Sequence, residues 1–209
     1  MKTAFSNLTG NRQIISFLLL LFIIVCASIC KSKSQYKHWD IASIDTTITQ
    51  STSFKLLNQE SEVFSVFEKQ DTSAKRTSGV LYFTKGHVNL SDSNSAKLNN
   101  CRAYFFHGDT LSINIGIGDG FVGWGFIINY RDKQFYTEPY YSTDDLIEVG
   151  EPAPVYEIVY QKLTLDKLSY KVGDSLFGKI DFEAIEIDQD KTKIEHLGKG
   201  YFRTKVTVL

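Results

Sequence analysis

Aromatic side chains crowd together at Phe135, Tyr136, Tyr140 and Tyr141. A tyrosine offers a flat apolar face and a hydroxyl, so several on one loop can stack on a sugar ring or anchor a protein contact. Tyr136, Tyr140 and Tyr141 therefore form one candidate binding surface. The alternative is that they cover an edge of the chain's own core. A second candidate lies upstream. Gly116, Gly118, Gly123 and Gly125 share one parity of an alternating segment, which leaves one face of a hairpin nearly bare. Phe121 and Ile127 would edge that platform. Phe121, Gly123 and Gly125 are the candidates there for contact with a partner strand or a flat ligand, unless another part of the chain covers them.

Other spacings do not assemble into chemistry. Gly118-Asp119-Gly120-Phe121-Val122-Gly123 fits the dinucleotide pattern G-x-G-x-x-G, but that motif must open a helix and here a strand pattern follows. His38, His87, His107 and His196 stand in no metal-type spacing with one another or with a cysteine. Cys101 and His107 share strand parity but lie about 20 Å apart along an extended chain at ~3.3 Å per residue. Asp144-Asp145 and Asp188-Gln189-Asp190 lack the calcium-loop pattern of an EF-hand and read as solvated turns. Asp45-Thr46-Thr47, Asp109-Thr110-Leu111 and Asp174-Ser175-Leu176 resemble an O-glycosylation tripeptide of some envelope bacteria. No catalytic residue, metal or cofactor is assigned.

The element that must position both candidate surfaces is a hairpin from Leu111 to Asn129. Asp119-Gly120 is a strong signal for a two-residue type I′ turn between alternating apolar runs. That turn predicts Ile117 opposite Val122, Ile115 opposite Trp124, Ile113 opposite Phe126 and Leu111 opposite Ile128. These eight residues then share one face and point into a dry interior, because a slip of one residue would turn them all outward.

Further strands are expected at Trp39–Gln50, Ser61–Lys69, Gly79–Thr84, Val88–Leu90, Cys101–Phe106, Gln134–Thr137, Val155–Leu165, Ser175–Ile187, Ile194–Leu197 and Tyr201–Leu209. A helical turn fits only near Leu56–Val63. Apolar parity switches at Ile185 and Ile187, which predicts a bulge near Ala184. Glu138–Pro154 carries Pro139, Pro152 and Pro154 and reads as an irregular crossover between sheets. With turn signals every 8–12 residues, the fold class is all-β, an antiparallel β-sandwich, with a closed antiparallel barrel as the alternative.

Ahead of this domain, Ile14 to Ile29 is apolar except for Ser16 and Ser28, with Lys2 and Arg12 before it. Sixteen helical residues span about 24 Å, short of the ~30 Å hydrocarbon layer. The expected organisation is a hydrophobic targeting helix at 1–30, a polar tether at 31–38 and one β domain at 39–209. The segment is cleaved as a signal peptide, retained as a membrane anchor, or lipidated at Cys30, where Ala27-Ser28-Ile29-Cys30 resembles a bacterial lipobox. Mass spectrometry of the mature N-terminus separates the three. Of 23 basic and 24 acidic side chains, the chain beyond residue 30 keeps 21 and 24, a formal charge of −3. That balance offers no basic face for nucleic acid. Only Cys101 lies beyond residue 30, so no internal disulfide is available there.

Leu163–Phe182, with its Val172-Gly173-Asp174 turn, together with Gly198–Val206, resembles the C-terminal strands of exported bacterial β-sandwich lipoproteins of unassigned function. The resemblance implies a sandwich on the cell envelope and transfers no catalytic residue. The expectation is an exported, membrane-tethered, non-enzymatic β-sandwich that acts as a binding or scaffold module at the cell envelope, its partner an envelope protein or glycan. A barrel carrying an apolar ligand and a hydrolase with a loop-assembled site are the alternatives.

Overall fold

The central hairpin forms with the expected parity. β5 (Thr110–Gly118) pairs antiparallel with β6 (Val122–Arg131). Leu111, Ile113, Ile115, Phe126 and Ile128 are fully buried, and Trp124 packs against them. The register differs from expectation by two residues: Ile115 lies opposite Phe126, Ile113 opposite Ile128 and Gly118 opposite Gly123. The last pair of the ladder is thus Gly118 with Gly123 and not with Phe121; Asp119 and Gly120, on which the expected turn falls, lie outside the described residues. A shift of two preserves which side chains face inward, so burial alone does not select between these registers. In the observed one, Gly116 faces Gly125 and the backbones come close: a Cβ on Gly125 would lie 2.6 Å from Gly116 Cα.

The computed structural model describes residues 37–85, 97–106, 108–118, 121–143, 154–188 and 190–208. The described residues are mostly strand. β1 (Asp40–Ile41) and β2 (Ser43–Ile44) precede a 3-10 turn and a helix, α1 (Thr52–Leu57). Then come β3 (Leu81–Lys85), β4 (Asn100–Phe106), β5, β6, β7 (Gln134–Thr143), β8 (Val155–Leu165), β9 (Ser175–Ile187) and β10 (Lys193–Thr207). The hydrogen-bonded order is β1-β7-β6-β5-β4-β10-β9-β8-β2, with β3 also on β10. The path is open, and its two ends are successive segments on either side of Ala42. All pairings are antiparallel except β10 with β4 and β2 with β8, each only two residues long.

One core serves both runs of strands. Phe126 packs on Phe182 at 4.6 Å between ring centroids, and Tyr82 lies against both. Cys101, Leu163, Leu176, Ile180, Ala184, Phe202 and Val206 belong to the same buried interior. A smaller cluster lies on the other face of β9 and β10, where Phe54 and Leu57 of α1 join Ile48, Phe177 and Tyr201. Ser51 caps α1 by accepting from Ser53 N–H.

Several expected elements change. Ser61–Lys69 is a loop with one isolated bridge, Ser61 to Lys75, because its polar groups are used elsewhere: Glu62 and Glu68 reach Arg102. Trp39–Gln50 breaks into β1, β2 and a 3-10 turn, and the helix falls at Thr52–Leu57. Ile194–Leu197 and Tyr201–Leu209 merge into β10. Gly198 and Gly200 do not end it; Gly198 makes room for the ring of Phe182, its partner across the ladder. The bulge expected near Ala184 sits across the ladder in β8, between Ile158 and Tyr160, which pair with Ala184 and Glu183. Pro139 lies in β7 rather than in a loop. Thr137 N–H, of the same parity, turns away from β6 to donate to Gln161 Oε1, so Pro139 sits where no ladder N–H is needed. Val88–Leu90 lies outside the described residues.

Candidate functional site

The outer face of the β4–β7 sheet is ordered in rungs. Cross-strand partners place Tyr104, Ser112, Asn129 and Tyr136 in one row across β4, β5, β6 and β7. The neighbouring row is Arg102, Asn114, Ile127 and Glu138, and the next is Asn100, Gly116, Gly125 and Tyr140. In the first row a tyrosine stands at each side of a hydroxyl–amide floor. Three interstrand spacings of ~4.8 Å put the two outer backbones about 14 Å apart.

This row forms the middle of a groove of about 410 Å³. Trp39 and Tyr136 wall one side, Tyr104 and Phe106 the other, and Thr110, Ser112, Ile127 and Asn129 make the floor. Ser112 Oγ donates to Asn129 Oδ1 at 3.2 Å, and Asn129 Nδ2 has no partner among the described residues. Tyr136 is held by Trp39 and Lys37, which line the same groove. Trp39 meets its ring edge-on at 4.6 Å, and Lys37 Nζ donates to Tyr136 Oη at 3.0 Å and to Glu138 Oε2 at 2.8 Å. Burial alone would lower the Lys37 pKa, yet the hydrogen bonds to Glu138 and Tyr136 raise it above 10.5. Lys37 and Glu138 thus bring one charge of each sign to the rim and cancel. The groove is aromatic at its walls, polar at its floor and close to neutral.

The predicted site residues separate in space. Tyr136 is in the groove. Tyr140 shares its face two rungs away and lies over Gly116 and Gly125, with its hydroxyl donating to Asn114 Oδ1 at 3.0 Å. The glycine platform is thus covered at its centre by the chain's own β7. Tyr141 is the partner of Trp124, on the opposite face, and half exposed. Tyr140 and Tyr141 belong to a strand and not to a loop. Gly123 stands beside Ser142, whose Oγ donates to Gly123 O at 3.4 Å. Phe121 is 70% exposed beyond the last rung of the hairpin. Cys30 lies outside the described residues. Lys37, Trp39, Tyr104, Ser112, Asn129 and Glu138 were not singled out from sequence. The outward parity of Tyr104 in β4 was the available signal.

A different cluster lies inside the core. His196 of β10 places Nδ1 2.7 Å from Tyr82 Oη and Nε2 2.7 Å from Glu186 Oε2. The assignment that satisfies both has Tyr82 O–H donating to Nδ1 and Nε2–H donating to Glu186. His196 is nearly fully buried, and Glu186 is 14% exposed. Burial pushes the Tyr82 phenol well above its ordinary value. Both imidazole nitrogens are engaged and Tyr82 is walled in by Phe126 and Phe182, so this arrangement presents no free base or nucleophile to a substrate. Burial likewise raises the Cys101 thiol far above its ordinary range, which keeps it unreactive. Among the described residues, no three His, Cys, Asp or Glu side chains gather as metal ligands, and no helix is long and apolar enough to cross a membrane.

No family model, no curated protein and no solved structure matches this chain.

Proposed function

We propose that the chain is a non-enzymatic saccharide-binding module of a cell envelope, tethered through its N-terminal segment, with the β domain arranged as a two-layer antiparallel sandwich. The observation that carries the binding reading is the rung Tyr104–Ser112–Asn129–Tyr136 at the centre of the groove. Sugars expose apolar C–H faces and a rim of hydroxyls. Aromatic walls match the first, and a serine–asparagine floor matches the second. A groove of this volume lies in the range for small ligands. A strongly charged ligand is disfavoured because Lys37 and Glu138 neutralise each other.

The sandwich reading is supported by the single core that the inner faces of β4–β7 and β8–β10 share. Export and tethering are supported by the apolar run Ile14–Ile29 behind Lys2 and Arg12. The carrier alternative is weakened because Ile113, Ile115, Phe126 and Phe182 fill the interior that a ligand would need. The hydrolase alternative draws on His196 and Glu186, but both nitrogens of that histidine are occupied.

The test is glycan binding by the full chain in detergent, on an immobilised panel followed by titration calorimetry. Tyr104→Ala and Tyr136→Ala are each expected to weaken the retained glycan at least tenfold, corresponding to about 1.4 kcal/mol. Their circular dichroism should stay that of the parent. Retention of no glycan, or retention that both variants leave unchanged, overturns the reading.

A further inference from the structure

We infer that the groove takes the end of a glycan chain and not an internal stretch; this rests on the saccharide reading above. An internal stretch must run out of both ends of its groove. Here one end is blocked from two sides.

On the β6–β7 side the block is Tyr140. It is the cross-strand partner of Gly125, and its hydroxyl takes the space that a Cβ on Gly116 or Gly125 would fill and is fixed to Asn114. An aromatic side chain laid over cross-strand glycines covers backbone that would otherwise continue the floor. On the β4–β5 side the block is the loop 62–68. Arg102 Nε donates to Glu68 Oε1 at 2.7 Å and Arg102 Nη1 to Glu62 Oε2 at 3.2 Å, the Glu62 side chain being 2% exposed. Asn100 Nδ2 donates to Glu68 Oε2 at 2.9 Å and to Val63 O. Val66 N–H reaches Gly118 O at 3.4 Å, so the loop extends across to the end of β5. A charge-assisted clamp on a nearly buried carboxylate holds such a loop in one place.

The rows that hold these two blocks begin one and two rungs beyond Tyr104–Tyr136. Rungs on one face repeat every two residues, ~6.8 Å. The open floor thus covers about two rung spacings, from Phe106 and Thr110 to Ile127 and Glu138. The last unit of such a chain rests between Tyr104 and Tyr136.

The experiment compares, for the full chain in detergent, linear oligosaccharides with counterparts that have no free end, maltoheptaose with β-cyclodextrin being one such pair. For glycans without a cyclic form, both ends are chemically blocked. Where the linear member is retained, its endless counterpart should bind at least tenfold more weakly, and lengthening the linear chain beyond three units should change affinity less than twofold. Equal binding of the two members, or affinity that climbs steadily with length, overturns the end-on inference and leaves the saccharide reading standing. Retention of no glycan removes both. Tyr140→Ala uncovers Gly116 and Gly125 and should raise binding of the endless member; if that variant does not fold, the comparison on the parent chain decides by itself.

Discussion

His196 shows how much one side chain holds together in this core. It is the shared partner of Tyr82 from β3 and Glu186 from β9, both within 2.7 Å. Replacing it with alanine removes an imidazole and strands the buried Tyr82 hydroxyl and the largely buried Glu186 carboxylate. A buried hydroxyl without its partner loses ~1–3 kcal/mol, and a buried carboxylate loses more. His196→Ala is therefore expected to lower unfolding free energy by about 3–5 kcal/mol, read as the shift of the urea midpoint at pH 7. Adding Tyr82→Phe should restore part of the loss, because it deletes one stranded hydroxyl; an additive loss would show that the two side chains do not act together. None of this was legible in sequence. His196 and Tyr82 are 114 positions apart, and a histidine with no nearby ligand-type residue carries no local mark. Tyr136 was singled out from the aromatic crowding at 135–141 and lines the groove, whereas Phe135 of the same stretch is buried; its facing wall Tyr104 belongs to a separate strand and enters only through pairing.

Strands β9 and β10 are locked by reciprocal glycine–phenylalanine pairs. Phe202 faces Gly178 and Phe182 faces Gly198, and in each case the ring occupies the space that a Cβ on the glycine would fill. Gly178→Ala and Gly198→Ala should each destabilise by about 1–3 kcal/mol through overpacking, measured by chemical denaturation. Phe182→Leu should recover part of the Gly198→Ala loss and none of the Gly178→Ala loss. A Gly198→Ala variant as stable as the parent would mean that the ring moves aside freely. These glycines also explain a limit of the sequence reading. Gly198 and Gly200 look like a turn between two strands, whereas β10 runs unbroken through them. By contrast Ser175–Ile187 and Val155–Leu165 carry long apolar alternations with Gly178 as their single glycine, and their expected limits are the observed ones. Ser61–Lys69 alternates just as well, yet Arg102 recruits its carboxylates from across the fold and keeps it out of the ladder. Periodicity reports what a segment can bury; it does not report which distant side chain claims its polar groups.

At the scale of the whole molecule, the direction of its pH dependence follows from where its phenols lie. Burial raises the pKa of Tyr82, Tyr140, Tyr156 and Tyr170 above the ordinary value of 10.0, with Glu186 adding to the effect at Tyr82 and Tyr156 and Asp166 at Tyr170. Burial raises the Cys101 thiol above its ordinary 9.0. Each of these groups stays protonated in the folded chain at a pH where the unfolded chain has released its proton. The unfolded state then binds fewer protons, so unfolding free energy falls as pH rises. The stability linked to these groups is fully present below pH 9, begins to be lost as the unfolded thiol titrates, and is lost faster above pH 10 as the unfolded phenols do. Lys37 acts in the same direction, since its folded pKa is also raised. Each fully shifted buried phenol or thiol contributes up to ~1.4 kcal/mol per pH unit in that window, and the partly exposed Lys37 much less. Tyr82 lies between the two runs of strands, against Phe126 and Phe182, so its ionisation requires the core to open and not merely a loop to move. The expected outcome is a urea midpoint that is level from pH 7 to 9 and drops steeply from pH 10 to 11, with the phenolate absorbance of the buried tyrosines appearing together with loss of strand signal in circular dichroism, after that of exposed ones such as Tyr141. Tyr82→Phe should make the drop shallower. Titration of all eleven phenols near pH 10 with the fold intact would place the buried tyrosines in water and contradict the core described above.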